Sequence, residues 1–295
     1  MSGRSRSTGG SRFGAAAIAL LVLSAAPVAA QGNGHGHAYG LANKNVSSSA
    51  PSAAGAQEFS ASGLGYRNFG SWLDDATVMP EGNGFVSLAF SYWRTPTFRE
   101  IDLPVLDTGL SLNRRVQFGM SAPYYHAGEP GRPTVRGLGD LYLSTKIQLR
   151  DPAKRAAGFA VTPILEVLSA PLPDGGGRVS WGLPLSVEVQ RKGWRAFGSA
   201  GYFSRGALFA SGAVELAASD RVWFTGSISE SHSLKRDDLS FALGLSKTRT
   251  DVSGGLAFTV RPSLAVFGSV GRTISKPDAS SASLMFTTGM SLSFR

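Results

Sequence analysis

The sequence predicts an all-β fold: a transmembrane antiparallel β-barrel of about 12 strands, with 14 as the alternative, behind an N-terminal signal peptide and a flexible lead-in. Three observations predict it. The chain opens on an export leader, apolar and polar residues alternate in long segments after residue 84, and the last segment ends on an aromatic residue. Composition narrows the field. Charged residues make up 17% of the 295, well below the roughly 25% of a typical soluble domain. A hydrophobic fraction of 42% is too high for a disordered chain. A mean hydropathy of +0.00 leaves no room for several apolar helices of about 20 residues.

The leader comes first. Arg4, Arg6 and Arg12 form a basic start, Ala15 to Ala26 is apolar, and Val28-Ala29-Ala30 supplies small residues for cleavage after Ala30. Residues 1–30 therefore read as a secretory signal peptide, and three arginines of the net charge of +9 leave with it. No cysteine follows, so neither a lipid-anchored thiol nor a disulfide framework is available.

Residues 31–83 form the lead-in. From Gln31 to about Ser62 the chain is rich in Gly, Ser, Ala and Asn, as in NVSSSAPSAAGAQ, with no hydrophobic period. His35 and His37 supply two imidazoles on a flexible stretch, an incomplete set for a transition metal, so no metal and no cofactor is assigned. The following stretch, 57–83, mixes Phe69, Trp72 and Leu73 with Asp74 and Asp75. Such a segment either caps the mouth of a barrel or sits inside it as a plug.

Residues 84–295 carry the alternation. Leu141, Leu143, Ile147 and Leu149 alternate with Asp140, Tyr142, Ser144, Lys146 and Gln148, and Val179 to Gln190 repeats the pattern. Period two means strands with one apolar face. Segments are marked at 84–94, 102–113, 115–126, 137–149, 157–168, 179–190, 194–204, 207–217, 221–232, 250–260, 263–273 and 282–294. Each matches the roughly 9–11 residues a tilted strand needs to cross a bilayer. The apolar face carries large residues, among them Tyr92, Trp181, Phe286 and Phe294, and the opposite face carries small or charged ones. Only a lipid solvent favours that inversion, and only a closed barrel satisfies every backbone donor there. Inward faces read as mainly Gly, Ser, Ala and Thr, which predicts open space along the axis.

The final strand holds Thr287, Gly289, Leu292 and Phe294 in TTGMSLSFR. This resembles the C-terminal signal by which outer-membrane barrels are recognised, and implies the barrel-assembly machinery as a partner. Arg295 beyond the aromatic departs from it. Tight turns at Asn113-Arg114-Arg115, Ser219-Asp220 and Arg261-Pro262 read as periplasmic, and 127–136, 169–178 and 274–281 as outer loops. An even count follows if 239–246 (LSFALGLS) belongs to a loop. Fourteen strands follow if 57–79 also pairs.

The run Leu110 to Tyr125 (LSLNRRVQFGMSAPYY) with Gly137-Leu138-Gly139-Asp140-Leu141 and Lys146 (GLGDLYLSTK) resembles an outer-membrane transporter family named for the meta pathway of phenol degradation. The resemblance covers roughly 84–294. It implies a barrel in the cell outer membrane and uptake of small aromatic or apolar solutes, and hands over no binding site.

Catalytic motifs are absent: there is no Gly-x-Ser-x-Gly, no His-Glu-x-x-His and no phosphate-binding loop. His126 and His232 fall at strand ends, and the serines flanking His232 point to the opposite face. No catalytic residue is assigned and no enzyme is expected. The basic residues are scattered through turns, so anionic membrane lipid rather than nucleic acid is the expected partner. Asp107, Asp140, Lys146, Glu166, Glu188 and Glu215 fall on inward positions and are the lumen-lining candidates. Strands seven and nine alternate ambiguously, leaving Arg195 and Glu230 without a facing. Two function classes remain, a passive channel for small solutes and a structural or interaction barrel with a plugged lumen.

Overall fold

The computed structural model describes residues 72–96, 99–128, 134–152, 156–169, 178–191, 193–204, 206–219, 221–234, 247–261, 263–278 and 281–294. The leader, His35, His37 and the segment 239–246 lie outside the described residues.

The strands are Gly84–Arg94 (β1), Arg99–Asn113 (β2), Val116–Gly128 (β3), Val135–Leu138 (β4), Leu141–Arg150 (β5), Gly158–Val161 (β6), Ile164–Val167 (β7), Val179–Arg191 (β8), Trp194–Phe203 (β9), Ala207–Ala217 (β10), Val222–Ser233 (β11), Thr248–Arg261 (β12), Leu264–Thr273 (β13) and Leu284–Phe294 (β14). All pairings are antiparallel, and strands pair in chain order except around β4–β7, where β3 pairs with both β4 and β5, and β6 and β7 each pair with β5 and β8. β1 returns to pair with β14 over its whole length, from Gly84 opposite Phe294 to Arg94 opposite Leu284. The sheet is therefore a closed cylinder.

Fourteen strands make twelve staves. β4 and β5 are one stave interrupted at Gly139-Asp140, since β3 pairs with both. β6 and β7 are another, interrupted at Thr162-Pro163, since both lie between β5 and β8. Pro163 has no N–H for the ladder, but its carbonyl accepts from Thr145 N at 3.0 Å and Thr162 N donates to Pro184 O at 3.0 Å. The wall stays hydrogen-bonded through the break. Of 57–79 the described residues, 72–79, add no strand, and the ring closed by β1 and β14 counts 12 staves.

The alternation is inverted, as the sequence predicts. Leu88, Leu185, Trp181, Phe286 and Phe294 are exposed on the outer wall, while Ser87, Ser180, Ser186, Thr287 and Ser291 are buried. Tyr92 occupies an outward position and is half-buried. The uninterrupted staves run 10 to 15 residues, enough to span the roughly 30 Å hydrocarbon layer at a tilt.

The interior corrects one expectation. Small residues do predominate on the inward faces, but they do not leave the axis open: Phe85, Trp93, Phe197, Phe203, Phe209, Trp223 and Phe267 also point in and are buried. The small residues make room for them. A Cβ on Gly289 would lie 2.7 Å from the Phe267 ring, and a Cβ on Gly182 would strike the Phe203 ring. Phe203 in turn packs on Phe209 with ring centroids 5.3 Å apart. In both places glycine on one stave makes room for a ring on the next, and these rings occupy part of the lumen.

Candidate functional site

The site begins with a turn. Asn83 N donates to Pro80 O at 3.0 Å, and Gly82 adopts φ 77°, the positive value that the third position of a type II turn requires. Gly82 N and Asn83 O then bond both main-chain groups of Ser111 on β2. This turn at the rim folds the preceding residues back into the cylinder. Leu73, Asp74, Asp75 and Ala76 are buried, and Trp72 and Thr77 half-buried, with no regular secondary structure.

A chain without helix or strand pairing of its own must find most of its main-chain partners on the wall. Met79 O accepts from Ser111 Oγ at 2.8 Å, and Met79 N donates to Gln117 Oε1 at 3.1 Å. Ala76 O accepts from Gln148 Nε2 at 2.9 Å. Ala76 N and Thr77 Oγ1 donate to Glu188 Oε2 at 3.2 and 2.7 Å. Trp72 O accepts from Ser199 Oγ and, at 3.0 Å, from Ser211 Oγ. The Trp72 ring lies 6.2 Å from that of Tyr142. Contacts from β2, β3, β5, β8, β9 and β10 thus converge on eight residues.

Charge fixes the centre. Lys146 Nζ stands 2.6 Å from Asp74 Oδ1 and 2.8 Å from Asp75 Oδ1, and donates to Thr77 O at 3.3 Å. Among the described residues these are its only polar partners, and all belong to the lumen segment. Arg195, the largest fully buried side chain, pairs with Asp75 at 2.9 Å, Glu215 at 2.5 Å and Glu188 at 3.5 Å. Its guanidinium also stacks 4.6 Å over Phe197. Burial pushes the Asp74 carboxyl up from its usual range, more than Lys146 pulls it down. Burial acts on Asp75 in the same sense, but Lys146 and Arg195 together outweigh it and hold that carboxyl below its usual range.

The six lumen-lining candidates are all buried on inward positions. Two of them, Lys146 and Glu188, touch the segment, and Glu215 is linked to it through Arg195. Asp107 lines a cavity of about 90 Å³ beside Lys146 and Asp74. Asp140 and Glu166 stand nearer the opposite rim, Asp140 accepting from Ser169 N at 2.7 Å. Arg195, left without a facing above, is the hub that sequence reasoning missed. On β9 both faces carry aromatics and small residues, so period two has no contrast. The one available signal is that a buried arginine on a lipid-facing wall is costly. Glu230 is exposed on the outer wall. Glu100 and Asp102 on β2, also buried, are further inward acids that the sequence reading did not select.

His126 faces outward, edge-on to Tyr124 at 5.3 Å, and His232 Nδ1 lies 2.9 Å from Thr248 Oγ1 in an exposed position. The neighbouring Ser231 and Ser233 are buried on the other face. No group of three or more His, Asp or Glu is arranged around a metal position among the described residues. At the C-terminus Thr287 is buried, Gly289 lies under Phe267, and Leu292 and Phe294 are exposed.

Twelve antiparallel staves, apolar outside, with a charged centre inside, define an outer-membrane-type β-barrel. In fold the chain is similar to an outer-membrane channel from Pseudomonas putida F1, at 11% identity over 75% of this chain and 98% of that one, with a TM-score of 0.56. It is also similar to the NanC porin, at 10% identity over 70% of this chain and 98% of that one, with a TM-score of 0.51. No protein-family model matches the sequence, and no curated protein matches it.

Proposed function

We propose that the protein is a passive channel of the outer membrane for small solutes with an apolar or aromatic body, held closed by Trp72–Met79. One observation carries this reading. Among the described residues, the segment that crosses the lumen is tethered to β1 and held by side-chain ion pairs and hydrogen bonds, not by strand pairing with the wall. Such contacts exchange with water and solute as the segment moves. The buried rings of Tyr142, Phe203 and Phe209, which pack with Ile164, Ala207 and Trp72, offer an apolar surface beside it. The wall itself meets membrane lipid, and Leu292 and Phe294 on the last strand are the residues offered to the assembly machinery. The N- and C-terminal ends of the barrel share the periplasmic rim in this reading.

The rings inside the barrel favour a second reading, a structural barrel whose segment never leaves. Planar-bilayer recording separates the two. The full mature chain should conduct rarely, and deletion of 31–79 should give steady conductance. Silence from both proteins, each verified as folded, would establish the structural reading instead.

A further inference from the structure

The contacts of Lys146 point to a binding subsite. Its ammonium is paired only with the lumen segment among the described residues. Beside it, Thr162 Oγ1 donates to the same Asp74 carboxylate at 3.0 Å, and Gln148 Nε2 donates to Ala76 O at 2.9 Å. Staves four and five therefore present two donors at one place, one of them charged, and the chain fills that place with its own Asp74 carboxylate, while Gln148 holds the adjoining main chain. Directly alongside lies the cavity of about 90 Å³, walled by Trp72, Phe85, Met120 and Tyr142 on its apolar side. Asp107 also lines it, so an anion is directed to the Lys146 end.

We propose that Lys146 and Thr162 form a subsite for the carboxylate of a small organic acid with an aromatic or apolar body, and that Asp74 occupies this subsite in the closed barrel. The proposal rests on the reading that solutes enter the barrel, and it names their chemical class. The charge-assisted pair at 2.6 Å supplies the affinity for a carboxylate, and the four apolar walls accept the body attached to it. Arg195 is not part of the subsite, because Glu215 and Glu188 hold it even without the segment. A solute carboxylate competes with Asp74, so binding and release of the segment are linked.

The test is chemical rescue of a vacated carboxylate. In the folded, detergent-solubilised mature protein, binding of 4-fluorobenzoate is read by fluorine NMR, with heat-modifiable gel migration confirming the barrel. Asp74→Ala should bind it more tightly than the parent by about tenfold or more, the share of one charge-assisted hydrogen bond. Adding Lys146→Met to that variant should remove the gain, and 4-fluorobenzyl alcohol should show no gain at all. Equal binding by parent and Asp74→Ala, equal binding of the alcohol, or a gain that survives Lys146→Met overturns the subsite. If the alanine variant does not migrate as folded, Asp74→Ser, whose short side chain also withdraws the carboxylate from Lys146 and Thr162, carries the same comparison. The NMR reads no current, so silent bilayers with rescued binding defeat the channel reading alone. Conducting bilayers without rescue defeat the subsite alone.

Discussion

Asp75 is the residue whose loss should free the lumen segment most directly. Its carboxylate joins Lys146 at 2.8 Å and Arg195 at 2.9 Å, and Oδ1 accepts from Thr77 N at 3.2 Å. Breaking a buried ion pair from one side costs about 3–5 kcal/mol because a charge is stranded. Here neither cation is fully stranded by Asp75→Ala, since Lys146 keeps Asp74 and Arg195 keeps Glu215 and Glu188. The low end applies, about 3 kcal/mol, which is on the order of 100-fold in the ratio of docked to released segment. The assay uses the absence of cysteine from the whole chain. Val78→Cys places a single thiol on the buried segment, and the rate at which a water-soluble thiol reagent modifies it counts excursions from the lumen. That rate should rise by about two orders of magnitude when Asp75→Ala is added. An unchanged rate, with the barrel folded, would show that the ion pairs do not hold the segment in place.

Three further outcomes are expected. Acid should open the channel: Asp75, held below its usual range, stabilises docking while ionised, and that contribution is present above about pH 4 and lost as pH falls through its lowered pKa. Asp74, pushed up, works in the opposite sense, its contribution being lost as pH rises through its raised pKa, and Glu188, Glu215, Lys146 and Arg195 face the same centre. Conductance at pH 3 at or below that at pH 7 contradicts the dominance of Asp75. Phe294→Ala should lower the folded yield in the membrane more than Phe286→Ala, because both rings lose similar lipid-facing area, a few kcal/mol at most, while only Phe294 closes the chain over Gly84. Equal yields would leave the terminal aromatic no special part in assembly. The purified barrel should run faster unboiled than boiled on a detergent gel, its closed ladder resisting detergent until heated, and a single band under both conditions contradicts closure.

The staves were legible because lipid and lumen impose opposite preferences on successive residues. Segments 84–94 and 207–217 coincide with β1 and β10, where Leu88 or Leu208 faces out and Ser87 or Phe209 faces in. The interruption at Gly139-Asp140 was not legible, because a break filled by neighbouring carbonyls leaves no mark on composition. The inward aromatics were read poorly for a related reason. Phe203 is tolerable on either face of such a wall, and only the glycine opposite it, Gly182 on the neighbouring stave, decides which. The site was half legible. Lys146, Glu188 and Glu215 follow from parity, but Asp74 and Asp75, which pair with Lys146 and Arg195, lie on a stretch with no period, far away in sequence. A contact between Trp72 and Ser211 spans 139 residues, and nothing local announces it.

The lumen segment directly precedes β1, its partners lie on staves two to eight, and β1 is also the stave with which the last strand pairs. Docking and ring closure therefore meet at one place: the Gly82–Asn83 turn that sends the segment inward is tied to Ser111 beside Gly84, where Phe294 ends the β1–β14 ladder. Asp75 lies between Lys146 and Arg195 and turns the repulsion of two cations facing one lumen into attraction. The hinge of the stopper is thus also the seam of the cylinder.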